Sequence, residues 1–238
     1  CFCINSSTYA SSQETNRPSD ANKIIGLSLP AILIISMVYL SLEPAIVSAV
    51  ADSATVTASV TEEISITSPS DATMSATIPG MTGNPGSPVT ASLTWTVKTV
   101  NATGFAMVIK SSTTPSLKLD ATYDFNDYTP AAAGTPDYIW SSPAASTAEF
   151  GYSVEPETAA DTVQLFLSAA STCNLGSTNA ADTCWFNVTT GDQPIINRTT
   201  NTDSTGEDEV VKFWAESNAE FLKEGSYVAT ITVTATMN

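Results

Sequence analysis

The stretch that comes nearest to a chemical site is "NTDSTGEDE". Asn201, Asp203 and Thr205 alternate and Gly206 follows, which is how a calcium-binding loop begins. The twelfth position of such a loop needs a bidentate carboxylate, and here it holds Lys212. A solvated acidic loop is the expected reading, with no metal. Asp120, Asp124 and Asp127 read the same way, as loop solubilisers. Glu62 and Glu63 are adjacent, so on a strand their carboxylates point to opposite faces and cannot share acid and base work. The chain has no histidine, which excludes Ser-His-Asp and Cys-His catalysis and histidine-bearing zinc sites. No nucleophile elbow, glycine-rich phosphate loop or HExxH occurs. The expectation is a protein without catalytic residues or cofactor, not an enzyme.

Two further residue classes carry chemistry. Cys173 and Cys184 bracket "NLGSTNAADT", and in an exported chain they are expected to form a disulfide pinning a polar loop. The alternative, a reactive or metal-binding pair, matches no zinc spacing. Sequons stand at Asn5, Asn101, Asn187 and Asn197. If the source glycosylates its secreted proteins, Asn101 in the "VNATG" turn is expected to be the best-exposed acceptor, with Asn187 and Asn197 as further candidates. With 24 acidic against 8 basic residues and a net charge of −16, nothing is available to hold a phosphate backbone, so nucleic acid is not expected as a partner.

The elements that must position these residues begin after a leader. Residues 1–23 are polar and short of core material, and no structure is expected there. Residues 24–51 contain the uncharged run "IIGLSLPAILIISMVYLSL", with Lys23 before it and Ala49 and Ala51 spaced as in a signal-peptidase site. Three readings compete: a secretory signal cut after Ala51, an uncleaved membrane anchor, and a retained helix of the type IV pilin kind. The A-x-A pattern favours the first, which makes the protein extracellular, at the cell surface, with membrane contact only during export or through an uncleaved helix.

Beyond residue 51 the pattern has period two. In "ADSATVTASVTEEISIT", Ala54, Val56, Ala58, Val60, Ile64 and Ile66 alternate with hydroxyl residues. "YVATITVTATM" near the C-terminus does the same, with Tyr227, Ala229, Ile231, Val233 and Ala235 on one face. "VTASLTWTVKTV", the reversal "NATG" and "FAMVIKSS" predict a hairpin. "AEFGYSVE", "TVQLFLSA", "CWFNVTT" and "EVVKFWAESN" are further strand candidates; the last, extended to "DEVVKFWAESNAEFLKEG", could instead hold a short helix. The region 113–148 is loop-rich. The expectation is an all-β protein, an antiparallel β-sandwich of jelly-roll or Ig-like kind with long loops, occupying 64–238 behind the hydrophobic helix.

The order of "SATVTASVTEEISIT", "TIPGMTGNPG", "SLTWTVKTVNATGFAMVIKSS", "AEFGYSV" and "GSYVATITVTATMN" resembles that in secreted β-sandwich filament and pilus subunits, the TasA/camelysin-like matrix-fibre proteins and the archaeal bundling pilins. The resemblance implies a homopolymer in which a terminal strand of one subunit completes the sandwich of the next. Residues 52–63, with Ala54, Val56, Ala58 and Val60 on one face, are the expected donor strand, since they start at the inferred mature N-terminus. The competing structural reading is a monomer in which this strand pairs within its own subunit. The competing functional reading is a monomeric adhesin or surface-layer module that binds glycan through Tyr123, Phe125, Tyr128, Tyr138 and Trp140.

Overall fold

A computed structural model of the protein describes residues 55–238. The polar extension, the hydrophobic segment 24–51, Ala54 and the Asn5 sequon lie outside the described residues. Among the described residues the elements are strands and short 3-10 turns: β1 (Ile64–Thr67), β2 (Val89–Thr99), β3 (Phe105–Ser111), β4 (Leu117–Lys118), β5 (Asp124–Asp127), β6 (Thr147–Pro156), β7 (Ser168–Ala169), β8 (Thr172–Cys173), β9 (Gln193–Arg198), β10 (Glu207–Asn218) and β11 (Ile231–Met237). Six strands form one sheet in the order β1-β2-β10-β6-β5-β4, and three form a second, β11-β3-β9. The fold is all-β, but its pairing is mixed: β5 runs parallel to β6, so the expected purely antiparallel arrangement is corrected. Its sheets form a half-barrel.

The ladder β2-β10-β6 is the backbone of the molecule. Val211, Phe213 and Ala215 of β10 alternate inward and meet Phe150, Tyr152 and Val154 of β6. Trp95 and Val97 of β2 and Phe105, Met107 and Ile109 of β3 complete the same buried cluster. β2 and β3 therefore face each other from different sheets, and the expected hairpin does not exist. The reason lies in the reversal at 101–104, which carries the chain across the core instead of back along the ladder. Gly104 sits there at φ 79° with the Arg198 carbonyl oxygen 2.2 Å from where a Cβ would stand, so only glycine fits.

Other departures follow from local chemistry. "EVVKFWAESN" lies in the central strand β10, which is laddered on both edges from Glu209 to Ala215, and the helix alternative is overturned. "TVQLFLSA" forms one 3-10 turn and one short strand, not a full strand. "CWFNVTT" contributes only isolated bridges, at Trp185 and Phe186. The described run 55–67 is a strand only from Ile64 onward.

Candidate functional site

The two sheets meet unequally at their flanks. The chain leading into β11 is bridged to β4 by a reciprocal pair of main-chain bonds between Lys118 and Val228. β1 terminates the six-stranded order and β11 the three-stranded one, and the two lie beside each other. Within the described residues, β11 has a ladder partner on one side only, β3. Its sequence folds as the alternation demands, with threonines outward and apolar residues inward.

The inward face of this margin is nevertheless only half covered. Tyr227, Ala229, Ile231, Val233 and Ala235 pack against the core from one side while remaining half-buried, as do Ile64 and Ile66 of β1 and Leu93 of β2. Inward positions of β6 and β10, by contrast, are closed to solvent.

Residues 55–63 have no ladder and are exposed at every position until β1 begins. Val56 is 94% exposed and Val60 87%, values that large β-branched side chains rarely show in a folded chain. Ala58 is exposed on the same side of the alternation. The run is tethered where β1 starts: the Glu63 carbonyl accepts from Val100 N at 3.2 Å and from Thr99 Oγ1 at 2.8 Å.

Carboxylates concentrate elsewhere. Arg198 of β9 donates from Nη1 to Asp161 Oδ2 at 2.6 Å and pairs with Glu207 Oε2 at 3.0 Å, joining the second sheet to the end of β10. Two residues on, Glu209 is buried with neither carboxylate oxygen hydrogen-bonded. Burial first, then the nearby charges of Asp161 and Glu207, push its pKa up to about 8. On the opposite face of β10, Glu216 Oε2 accepts from Trp140 Nε1 at 2.7 Å. Neighbouring Glu149 is pushed up to about 7 by burial and by the Glu216 charge. Each of these groups is packed or paired within the fold, and Thr158 Oγ1 donates to Glu207 Oε1.

The residues singled out from sequence are dispersed. Cys173 and Cys184 form the disulfide, with Cα atoms 5.6 Å apart and both residues buried. Asn101 corrects its expectation: it is 2% exposed, and its Nδ2 donates to the carbonyls of Gly104 and Asn238, each at 3.1 Å. It holds the reversal shut and offers no amide to a modifying enzyme in the folded state. Asn187 is half-buried and Asn197 is exposed. Asp203 closes a turn, its Oδ1 accepting from Thr205 N, Thr205 Oγ1 and Gly206 N, and these bonds hold its pKa below the ordinary carboxylate range. Among the described residues no group of three acidic or cysteine side chains could hold a metal ion. Of the loop aromatics, Phe125, Tyr128 and Trp140 are buried and Tyr123 and Tyr138 half-buried; Tyr128 stacks on Trp140 at 4.4 Å.

Sequence reasoning missed Arg198, Glu207, Glu209 and Glu216. Glu207 and Glu209 carry a signal in hindsight, since both continue the inward alternation of Val211, Phe213 and Ala215. No family model matches the chain, and neither a curated protein nor a solved structure matches it.

Proposed function

We propose that this protein is the structural subunit of an extracellular filament, pilus or matrix fibre, a homopolymer joined by β-strand donation. Each subunit is a β-sandwich, and residues 54–60 of one copy lie along β11 of the next, with Ala54, Val56, Ala58 and Val60 facing the core. The observation that carries this reading is the pairing of two deficits: exposed apolar alternation in 55–63 and a half-covered apolar face on β11. A strand added at the β11 edge gains a ladder of main-chain bonds and removes both deficits together. Burying two valines and the alanines contributes on the order of 5 kcal/mol before the costs of association. Of the loop aromatics that would mark a glycan-binding adhesin, Phe125, Tyr128 and Trp140 are taken up in packing, which weakens that alternative. Export through the hydrophobic segment 24–51 belongs to this proposal, as does a glycan on Asn197.

The test is light scattering with negative-stain microscopy on residues 52–238, beside protein lacking 52–63 and beside a Val56→Asp, Val60→Asp double variant. Fibres from the first alone support strand donation. Compact monomers from all three, with equal stability, would refute it.

A further inference from the structure

The outer face of the six-stranded sheet carries an open cleft of about 480 Å³ that the assembly reading does not use. Its floor is the β2–β10 ladder, where Thr90 stands opposite Trp214 and Ser92 opposite Lys212. Ser75 and Asp182 contribute to its walls. The volume lies in the range of small-molecule sites.

Three features define what fits. Trp214 is half-buried, with one side packed on Trp185 at a centroid separation of 4.1 Å, and it presents indole surface to the cleft. Lys212 Nζ is already held between Asp182 Oδ1 at 2.9 Å and Glu155 Oε2 at 3.1 Å, so its charge is matched and an incoming anion finds no free cation. The hydroxyls of Thr90 and Ser92 and the carboxylate of Asp182, whose side chain is 49% exposed, are accessible to an incoming ligand. The rim is fixed as well: Asp182 N donates to Glu155 Oε1, and the loop closes two residues later at the Cys184 disulfide.

We propose that this cleft binds a neutral, hydroxyl-rich ligand, a hexose unit of a saccharide. The C–H face of a pyranose ring lies on the Trp214 indole, and its hydroxyls donate to Asp182 and exchange hydrogen bonds with Ser92 and Thr90. An apolar ligand would strip water from these oxygens without replacing it, at a cost that disfavours it. The proposal stands apart from strand donation, because none of its residues belongs to 54–63, β1 or β11.

The experiment titrates the purified protein with maltose, cellobiose, lactose and chitobiose into the millimolar range, read by tryptophan fluorescence and backbone amide NMR. A saturable response to at least one disaccharide is expected, with shifts centred on residues 90–92 and 212–214. Ser92→Phe fills the cleft from an exposed position and should weaken binding by about tenfold or more. If that variant loses its fold by circular dichroism, Asp182→Ala serves for the same comparison. No saturable response to any of the four sugars overturns the proposal. So does binding unchanged in the folded variant, or stronger binding of inorganic sulfate than of every sugar.

Discussion

The centre of the molecule and its β1–β11 margin are written in the same period-two code and end in different states. In β10 and β6 the inward positions hold Phe213, Val211, Phe150, Tyr152 and Val154, and all are buried. In β11 and the residues leading into it they hold Ala229, Ile231, Val233 and Ala235, and all are half-buried. Side-chain size is part of the cause, since aromatic rings reach across to the second sheet and alanine does not. Neighbours are the other part: β10 is laddered on both edges and β11 on one. The comparison teaches that an alternating pattern reports which face is apolar, while the number of ladder partners decides whether that face is closed.

This contrast yields graded expectations. Phe213→Ala should cost about 3–5 kcal/mol in urea unfolding, because it opens a cavity between rings that stack at 5.7 Å. Comparable losses at Val233→Ala would erase the distinction between centre and margin. Replacing Cys173 and Cys184 by serine should cost roughly 2–3 kcal/mol, the entropy of closing a loop of this length.

The next expectation concerns pH. Glu209 titrates near 8 in the fold against 4.5 ordinarily, so between those values the unfolded chain has released a proton that the folded one keeps. Stability should fall as pH rises from about 4.5 through about 8, despite Arg198 nearby, and Glu209→Gln should flatten that slope in a Tm-against-pH series. A slope unchanged in the variant would assign the effect to Glu149, whose shift has the same sign. The smallest effect on the isolated subunit is expected at the margin. Val233→Ala should cost about 1 kcal/mol or less in the monomer, since its side chain is only half-buried, yet shorten or abolish fibres.

Much of this architecture was legible in the sequence, and the exceptions share a cause. β2, β10 and β11 follow strict alternation and were readable. β9 was not, because Ile195 and Ile196 are adjacent and both buried across a register shift against β3, which breaks the period. The hairpin expectation failed because alternation says nothing about which sheet a returning strand joins; that was decided by Asn101 and Gly104 in the reversal. The Arg198, Asp161 and Glu207 group joins positions far apart in the chain, so no local spacing announces it. Val56, Ala58 and Val60, the proposed donor residues, were legible as an apolar face, and the structure adds that this face is uncovered.

The most direct test of strand donation is hydrogen exchange at the β11 amides, 231–237, in protein lacking residues 52–63, with and without a synthetic peptide of those residues. Strand donation predicts that the peptide binds and slows exchange along β11 while the already protected β6–β10 ladder is unchanged. Exchange at β11 that is indifferent to saturating peptide would contradict it.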